Sequence, residues 1–589
     1  MKLVDALTIA AGNPPAGTEA VFRTALVCGF TPLHLQTFLV AELRQRFPAD
    51  HIAVTTGLFD DIPGTLQDLR GETFDAIVLV LEWADIDARL GLRRLGGWSP
   101  ANLPGIVEHA GAWLAHVRAL VEELAQAAPI VVSLPTLPLP PLFYHAGWQA
   151  GGHELMLREA VAQFAAGVAR TPRVRVVSEQ ALAEASPPAA RLSVKSTWTS
   201  GLPYTTAHAS ALAALLAHAA QNSPPKKGII TDLDNTLWSG VVGDDGPDGV
   251  WWDLDHHAQR HGVYQQFLRT ASEEGVLVGI ASKNDAAVVD EAFARDDLLL
   301  PKDLVFPIEV GWGSKAEAVS RVLKAWNVAA DSVVFVDDNP AELAEVKAAH
   351  PGIECVAFPA DPDALYGMVG RLRNAIGKPF VSAEDRIRLD SIRGSAAAPA
   401  AADESEGFSE SLLEQADSEL TLDFRKDAGD ARALELINKT NQFNLNGRRL
   451  TEREWLEHLR APHTFVLTAS YKDRYGLLGR IAVMAGRIED QGLRVSTWVM
   501  SCRAFARRIE HQCVKALFDR FDAAAIGIDY AATPRNAPLT RALAGLLGAP
   551  PVAGVTLTRA AFDAGCPRLF HRLVVKDDVG DQRYAHAAR

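Results

Sequence analysis

Residues 228–237 decide the fold and read Gly-Ile-Ile-Thr-Asp-Leu-Asp-Asn-Thr-Leu. The short apolar run predicts a buried strand that ends where Asp232 and Asp234 begin a loop. Side chains two residues apart in an extended chain point to the same side, so these carboxylates converge. Open α/β sheets bind ligands at the carboxyl ends of their strands, where one carboxylate can attack phosphorus and the other can transfer protons. The alternative is a solvated turn, because Asp and Asn are common turn residues.

Three later segments supply the other groups that phosphate chemistry needs. A second apolar run predicts a strand that ends at Ser282 and Lys283. Lys315 begins a predicted helix after a glycine-rich turn, and a third apolar run leads into Asp337 and Asp338. Hydroxyl and ammonium groups bind phosphate oxygens, and clustered carboxylates repel one another unless a cation neutralises them. The residue types and their order therefore predict a phosphoryl-transfer site with a divalent cation.

Together these segments resemble the four sequence motifs of the haloacid dehalogenase (HAD) superfamily of phosphohydrolases. The resemblance implies that Asp232 is the nucleophile, which becomes an aspartyl-phosphate, and that Asp234 is the general acid and base. It implies a phosphate-binding set, which comprises Thr236, Ser282, Lys283 and Lys315. It also implies Mg²⁺ as a cofactor, held by Asp232, Asp338 and the backbone carbonyl of Asp234, with Asp337 in support.

Length and composition limit the classes of protein to which the chain could belong. The chain has 589 residues, of which 48% are hydrophobic, and this length suits about three or four domains. Its formal net charge of −14 argues against nucleic acid or an anionic membrane as a main partner. The five cysteines form no Cys-x-x-Cys pair, which is typical of a reducing compartment. The sequence shows no basic and apolar leader and no apolar stretch of membrane-spanning length, so we expect a cytoplasmic protein.

Residues 1–223 form the first predicted domain, in which strands alternate with helices as in a parallel, layered α/β fold. The block resembles the SGNH hydrolases, notably in Phe-Asp-Ala-Ile-Val-Leu at residues 74–79. Where that fold has its nucleophilic serine, this chain has Gly29-Phe30-Thr31, and no clear Asp-x-x-His pair appears near the end of the block. We therefore expect a non-catalytic or binding domain. A pair formed by Thr31 and His208 stays an alternative.

Residues 224–393 are the predicted HAD domain, with a Rossmann-like parallel sheet at the centre of the chain. The intervals between its motifs leave no room for a large cap domain. We therefore expect an open, capless site that other domains of the same chain cover. The glycine-rich segment 237–246 follows the predicted nucleophile and is suited to a mobile flap, and a rigid turn is the alternative.

A narrower resemblance rests on three stretches. Residues 232–246 read DLDNTLWSGVVGDDG, residues 336–340 read VDDNP and residues 438–449 read NKTNQFNLNGRR. They resemble the FkbH-like family, bifunctional HAD-type proteins of polyketide pathways. This resemblance implies that the protein dephosphorylates D-1,3-bisphosphoglycerate and loads the glyceryl unit as a thioester on the phosphopantetheine arm of an acyl carrier protein. A magnesium-dependent phosphatase for another phosphorylated metabolite, with flanking domains as binding modules, is the alternative.

Residues 394–419 are predicted to be a linker, because the centre of this stretch is rich in alanine and low in complexity. Residues 420–589 resemble the mixed α/β GNAT acyltransferases, with predicted strands at 464–469, 480–484 and 494–500 and a helix from about residue 503. Where that fold binds the pyrophosphate of coenzyme A between small residues, this chain has Ala506 and Arg508. This departure argues against ordinary acetyl transfer from coenzyme A.

Cys502 is the predicted carrier of the acyl group. It follows a predicted strand and stands beside Arg503 and a helix N-terminus, a setting that lowers the pKa of a thiol. The resemblance implies that Cys502 attacks the acyl phosphate and passes the acyl group to the carrier's thiol. A small buried apolar residue is the alternative, and Cys513 is the reserve candidate.

The polar run 438–446 contains a second set of candidates. Its amides and lysine suit a hydroxylated, phosphorylated three-carbon substrate, and the predicted substrate-binding residues are Asn438, Lys439, Asn441 and Arg503. Helix termination with side-chain capping explains the same pattern equally well. Arg448 and Arg449 are predicted either to be solvated or to contact substrate phosphate or the acidic surface of a carrier protein.

Overall fold

The computed structural model describes residues 1–12, 21–141, 145–221, 225–378, 381–397, 410–474, 476–489, 492–501, 504–505 and 507–577. The chain divides into two compact units. The first is Met1–Ser223 with Leu450–His458, and the second is Pro224–Arg449 with Leu459–Arg589. The predicted HAD domain and most of the predicted C-terminal domain thus belong to one unit.

The first unit contains a five-stranded parallel sheet with the strand order β2-β1-β3-β4-β5. Both faces of β3 and β4 are buried, which is why these strands are almost wholly apolar. The strands are Val21–Val27 (β1), His51–Thr56 (β2), Ala76–Val80 (β3), Ile130–Ser133 (β4) and Val174–Val176 (β5). The helices are Leu3–Ala11 (α1), Leu33–Arg46 (α2), Ile62–Asp68 (α3), Trp83–Ile86 (α4), Leu103–Leu124 (α5), Gly152–Val168 (α6), Glu179–Ala185 (α7), Val194–Thr199 (α8) and Thr206–Gln221 (α9).

Two ion pairs hold residues 450–458 within the first unit. Arg453 Nε lies 2.8 Å from Oδ1 of the buried Asp75, and Glu452 Oε1 lies 2.5 Å from Arg175 Nη2. Asp75 also accepts a hydrogen bond from the backbone N–H of Arg23 in β1. Ion pairs thus attach residues 450–458 to this sheet, although the two are far apart in sequence. The periodicity of apolar residues does not predict such a pairing.

The second unit contains another five-stranded parallel sheet, with the order β10-β9-β6-β7-β8. Its strands are Gly228–Thr231 (β6), Leu277–Ser282 (β7), Ile308–Val310 (β8), Val333–Asp337 (β9) and Glu354–Ala357 (β10). The surrounding helices are Val242–Asp245 (α10), Gln259–Glu273 (α11), Ala286–Phe293 (α12), Lys315–Trp326 (α13), Pro340–Ala349 (α14), Leu365–Ile376 (α15), Ala383–Arg386 (α16) and Arg388–Ala397 (α17). The described residues between the motifs hold no inserted domain, in agreement with the capless prediction.

Two glycines let α13 pack closely on this sheet. A Cβ on Gly228 would lie 2.6 Å from the Trp326 ring, and a Cβ on Gly279 would lie 2.7 Å from it. Trp326 is fully buried, and its Nε1 donates a hydrogen bond to the carbonyl of Phe306. Because α13 begins at Lys315, this packing also sets the position of that lysine.

A mixed seven-stranded sheet completes the second unit, with the order β16-β15-β14-β13-β12-β11-β17. The pairs β14–β15 and β11–β17 are parallel and the others are antiparallel. The strands are Glu419–Asp423 (β11), Thr464–Asp473 (β12), Gly476–Glu489 (β13), Gly492–Met500 (β14), Ala525–Ile528 (β15), Val555–Thr558 (β16) and Arg572–Lys576 (β17). The helices are Glu410–Gln415 (α18), Ala431–Lys439 (α19), Ile509–Phe521 (α21), Ala537–Leu547 (α22) and Arg559–Gly565 (α23), whereas most of the helix Glu452–Arg460 (α20) belongs to the first unit. The GNAT assignment of this part stays a prediction.

The structure differs from the sequence prediction at two boundaries. The predicted linker 394–419 is helical at both of its described ends, because α17 continues to Ala397 and α18 begins at Glu410. Alanine is the best helix former, so the same alanines that indicated low complexity also extend α17. The helix predicted from about residue 503 begins at Ile509, after Arg508 in the left-handed conformation (φ 59°).

None of the helices in the described ranges has the length and apolar character needed to cross a membrane.

Candidate functional site

The candidate site lies at the carboxyl edge of the parallel sheet in the second unit. The central strand β6 runs directly into Asp232, and its neighbours β7 and β9 end at Ser282 and Asp337. Parallel strands end at the same edge, so three polar strand ends converge. All three side chains are buried. The structure therefore brings together the three strand ends whose motifs the sequence analysis singled out.

Lys315 is the centre of this cluster. It is the first residue of α13, where Ser314 caps the helix by accepting a hydrogen bond from Glu317 N. Its side chain is only 2% exposed, and its Nζ lies 2.6 Å from Asp232 Oδ1 and 3.1 Å from Asp337 Oδ2. The third contact of Nζ, at 2.8 Å, is with Glu342 Oε2. A buried ammonium group is stable only with such partners, because desolvation alone costs several kcal/mol.

The site has more negative than positive charge. Burial raises the pKa of Asp232, and burial together with the Asp232 charge raises the pKa of Asp337 to about 7. Burial also raises the pKa of Asp338. Burial alone would lower the pKa of Lys315, but the charges of Asp232 and Asp337 outweigh it and raise that pKa, so the ammonium stays protonated. A further cation would lower the cost of ionising these carboxylates.

The donor chemistry fits Mg²⁺, which prefers carboxylate and carbonyl oxygens. Asp232, Asp337 and Glu342 offer oxygens within 4.8 Å of one another, but these atoms surround the Lys315 ammonium, so that space is already filled by a cation. Asp338 is exposed at the rim of the same edge and is thus accessible to an ion. The predicted metal residues Asp232, Asp337 and Asp338 therefore stand at the same edge of the sheet, and direct ligation by Asp232 and Asp338 stays a prediction.

Asp234 occupies a different environment from Asp232. Its Oδ1 accepts hydrogen bonds from Trp238 Nε1 (2.8 Å) and from the backbone N–H of Val242 (3.1 Å), and its Oδ2 accepts one from Asn284 Nδ2 (3.0 Å). Its side chain is therefore held by residues of the turn 237–246 and by Asn284. The predicted role of its backbone carbonyl as a metal ligand stays a prediction.

The predicted phosphate-binding residues divide into two groups. Ser282 hydrogen-bonds Asp232 and accepts a bond from Asn284 Nδ2 (3.1 Å), so with Lys315 it lines the space in front of Asp232. Thr236 is fully buried and donates a hydrogen bond to Asp338 Oδ1 (3.3 Å), while it accepts one from Asp338 N (3.1 Å). Its hydroxyl is thus committed to Asp338. Lys283 is half-exposed and lies 3.1 Å from Glu342 Oε1.

Two residues of the site were missed by the sequence analysis. Glu342 stands on α14, where it contacts both Lys315 and Lys283, and these lysines hold its pKa below the usual range although burial opposes this. Asn284 bridges Asp234 and Ser282. The sequence offered one indication of Asn284, namely its position two residues after Ser282 at the end of a strand. It offered no indication of Glu342, because acidic residues are common in the first turn of any helix.

Residues 237–246 form a well-packed turn, which favours the rigid alternative over the mobile flap. Trp238 and Val242 are fully buried. Ser239 pairs with Trp251 in an antiparallel bridge, and Asp245 Oδ2 accepts a hydrogen bond from Val241 N. The turn needs glycine at residue 240, where φ is +103°. It also holds the two donors that orient Asp234.

The polar run 438–446 divides into residues that shape a turn and residues that line a cavity, and its role in substrate binding stays a prediction. Asn444 and Asn446 bond to backbone groups, the former to Thr440 O and the latter to Ser496 O and Asp529 O, so they shape the turn after α19. Lys439, Thr440 and Asn441 instead line a cavity of about 550 Å³. Arg449 is exposed, in keeping with the solvated alternative, and it also donates hydrogen bonds to Ile437 O and Thr440 O.

The structure tests only part of the predicted acyl site. Cys502 and Arg503 lie outside the described residues, and the predicted substrate residue Asn438 lies in α19. The reserve candidate Cys513 is fully buried in the apolar core, and this burial raises the pKa of its thiol well above the ordinary value. Cys513 is therefore a packing residue, and its proposal as a reserve nucleophile is wrong on physical grounds.

In the first unit, the two positions that the sequence analysis weighed for hydrolase chemistry, residue 29 and His208, are closely packed. A Cβ on Gly29 would lie 2.2 Å from Asp85 Oδ1, so a serine does not fit there without a shift. His208 is fully buried, and its two ring nitrogens contact Thr136 Oγ1 (2.9 Å) and Ser186 Oγ (3.0 Å). Both nitrogens are thus engaged without Thr31, which corrects the alternative pairing. Burial lowers the pKa of His208 to about 3.

We expect Thr236→Val to weaken Mg²⁺ binding by about tenfold to a hundredfold, the usual effect of losing a partner that orients a metal ligand. The valine keeps the volume but removes the hydroxyl that holds Asp338. Titration calorimetry measures the Mg²⁺ affinity directly and does not depend on enzyme activity. Thr270→Val is the matched control, because that exposed hydroxyl bonds only Gln266 O on its own helix. Equal Mg²⁺ affinity of wild type and Thr236→Val would contradict the assigned role of Thr236.

We expect acid to destabilise α9 through His208. The folded pKa is lowered from 6.5 to about 3, so the unfolded chain binds the extra proton and stability is lost as the pH falls below about 6.5. Between pH 7 and pH 5, the hydrogen-exchange protection of residues 206–221 should fall roughly tenfold to thirtyfold more in wild type than in His208→Gln. His218→Gln, an exposed change on the same helix, should leave the pH dependence as in wild type. Parallel pH profiles for wild type and His208→Gln would refute the assignment.

Comparison with known proteins gives a fold relation. No protein-family model matches the sequence, and no curated protein matches it. One similar solved structure is the N-terminal part of BF1531 from Bacteroides fragilis, which contains a phosphatase domain complexed with Mg. Its sequence is 18% identical to this chain and the TM-score is 0.53. The match covers 64% of this chain and all of that one. Phospholipase A1 from Streptomyces albidoflavus is 13% identical with a TM-score of 0.24, over 34% of this chain and 99% of that one, which is too low to carry an argument. The chain is thus a multidomain α/β protein that shares the fold of the BF1531 fragment.

Proposed function

We propose that the chain is a magnesium-dependent phosphohydrolase of the HAD type. The observation that carries this proposal is the 2.6 Å contact between the buried ammonium of Lys315 and the carboxylate of Asp232 at the end of the central strand. A nucleophilic carboxylate, a fixed cation for phosphoryl oxygens and a second, separately held carboxylate are the three parts that phosphoryl transfer through an aspartyl-phosphate needs. The fold shared with the BF1531 fragment supports the same class.

In the first half-reaction, an oxygen of Asp232 attacks the phosphorus of a phosphate ester. The new bond joins that oxygen to phosphorus, and the bond between phosphorus and the leaving oxygen breaks. Asp234 gives a proton to the leaving oxygen, which departs as an alcohol. Lys315 and Ser282 hold the phosphoryl oxygens and stabilise the charge that develops on them.

In the second half-reaction, water attacks the phosphorus of the aspartyl-phosphate. Asp234 takes a proton from that water, the bond to Asp232 breaks and inorganic phosphate leaves. Bound Mg²⁺, held by Asp232, Asp338 and the Asp234 carbonyl, would offset the negative charge of the phosphoryl group. Asn284 and Trp238 hold the Asp234 carboxylate apart from Asp232, so the two acids keep separate roles.

We expect Asp232→Asn to lower kcat for p-nitrophenyl phosphate by about 10³-fold or more, because no other group at this strand end can form the phospho-enzyme. A steady-state assay with Mg²⁺ measures this, and chelation of the ion should abolish wild-type activity. Asp244→Asn is the control, because Asp244 is an exposed carboxylate in the turn that follows the site. Retention of activity by Asp232→Asn would sink the proposal.

The narrower proposal is that this site dephosphorylates D-1,3-bisphosphoglycerate and that the C-terminal part loads the glyceryl unit on an acyl carrier protein in polyketide biosynthesis. Its support is the resemblance carried by residues 232–246, 336–340 and 438–449. The cavity that Lys439, Thr440 and Asn441 line also adjoins Ser501, the residue before Cys502. A phosphatase for another phosphorylated metabolite remains the competing proposal. A cytoplasmic location and a carrier-protein partner belong to the narrower proposal.

In that reaction, a thiolate of Cys502 attacks the acyl carbon of the acyl phosphate. A thioester bond forms, the carbon–oxygen bond to phosphate breaks, and phosphate leaves with the electron pair. The thiol of the carrier's arm then attacks the thioester, the bond to Cys502 breaks, and the proton of the carrier thiol returns to the enzyme thiolate.

We expect intact-protein mass spectrometry, after incubation with Mg²⁺ and enzymatically generated 1,3-bisphosphoglycerate, to show a hydroxylamine-labile glyceryl or phosphoglyceryl adduct on wild type. Cys502→Ala should carry none, and Cys513→Ala should carry as much as wild type, because Cys513 is buried and unreactive. On Asp232→Asn the adduct should keep its phosphate. An absent adduct on wild type that still releases phosphate would eliminate the transferase and leave the phosphatase.

A further inference from the structure

The 550 Å³ cavity in the second unit lies at the opposite edge of the parallel sheet from Asp232. Lys227, which precedes β6, and Leu277, which begins β7, line it, whereas Asp232 and Ser282 stand at the other ends of these strands. Asp232 stands five positions after Lys227, so the two edges are about 16 Å apart along the strand. The cavity is therefore distinct from the candidate phosphatase site.

Positive charge dominates the wall of this cavity. Five cationic side chains and two carboxylates line it, namely Lys227, Arg388, Arg432, Lys439 and Arg535 against Asp331 and Glu435. Glu435 is shared, because its carboxylate lies 2.7 Å from both Arg432 and Lys439. The cations therefore exceed the anions that face them across the same space.

The cations are crowded as well as numerous. Burial lowers the pKa of Arg388 and of Lys439, and the neighbouring Arg432 lowers both further, although Asp385 and Glu435 oppose this. Arg432 Nε is buried and has no hydrogen-bond partner among the described residues. Arg535 is exposed and pairs with no described carboxylate, and its charge acts on Arg449 nearby. Such a group of like charges with unused donors is stabilised by an anion.

The size and polarity of the cavity narrow the class of anion. A volume of about 550 Å³ falls in the range of small-molecule sites and is larger than a single phosphate ion needs. Besides the charged groups, Thr440, Asn441 and Gln442 line it and supply hydroxyl and amide groups. Arginine guanidinium groups match phosphate oxygens in geometry, and hydroxyls and amides suit a hydroxylated remainder.

We propose that this cavity is a second ligand site, which binds a small phosphorylated organic anion through Arg432 and Arg535, independently of the Asp232 site. The phosphate group lies against the two guanidinium groups, and the rest of the ligand extends along residues 439–442. The proposal rests on the cavity alone and not on either activity proposed above. A negative result for this cavity would therefore leave the proposed activities unaffected, and a negative result for those activities would leave this proposal unaffected.

The test is titration calorimetry of the full chain with 3-phosphoglycerate in EDTA, which removes divalent ions from the Asp232 site. We expect one binding event in wild type and in Asp232→Asn. Arg535→Ala should weaken it by about tenfold and Arg535→Glu by about a hundredfold, as expected for losing and then reversing one charge-assisted contact. Added salt should weaken it too. Arg541→Ala is the matched control, because Arg541 is an exposed arginine of the same region that does not line the cavity.

Glycerate, which lacks the phosphate, tests the recognised group and should not bind detectably. The proposal is overturned if wild type shows no binding, if glycerate binds as tightly as 3-phosphoglycerate, or if Arg535→Ala binds like wild type. It is also overturned if Asp232→Asn abolishes the binding, because the ligand then occupies the other edge of the sheet. Exposed Arg535 is chosen because its replacement leaves the buried Arg388 and Glu435 pairs intact.

Discussion

The ion cluster around Lys315 is the interaction on which the candidate site depends. One buried ammonium faces carboxylates from the central strand, from the neighbouring strand β9 and from α14. Each of these charges would be costly to bury alone, and together they offset most of that cost. The cluster still has more carboxylates than cations, and this remaining negative charge suits a divalent cation such as Mg²⁺, which an anionic phosphoryl group would also require at this edge.

The residues behind the cluster give Asp232 and Asp234 different surroundings. Asp232 faces the ammonium, whereas Asp234 is held by Trp238, Val242 and Asn284. The packed turn 237–246 therefore does more than follow Asp232 in sequence, because it fixes the carboxylate of Asp234, which we propose as the general acid and base. Thr236 holds Asp338 in a comparable way. Rigid support of this kind keeps reacting groups within the narrow range of positions that catalysis needs.

The C-terminal part adds a constraint on any two-step function. Its polar run lines a cavity at the amino edge of the parallel sheet, while Asp232 stands at the carboxyl edge. A small substrate cannot contact both places at once, because the length of the strands separates them. Chemistry at both edges therefore requires release and rebinding of an intermediate, or one edge that binds while the other reacts. This separation also means that each site can be altered without direct disturbance of the other.

The sequence by itself determined the chemistry of the parallel sheet. Short apolar runs that end in Asp232, Ser282 and Asp337 predicted which residues meet, because parallel strands share an edge and local periodicity defines the strand ends. Only the tertiary structure decided the roles of Glu342 and Asn284, the engagement of both His208 nitrogens away from Thr31, and the cationic cavity. These depend on distances between residues remote in sequence, and no local pattern encodes such distances. The same holds for residues 450–458, which pair with Asp75 through charges that apolar periodicity does not register.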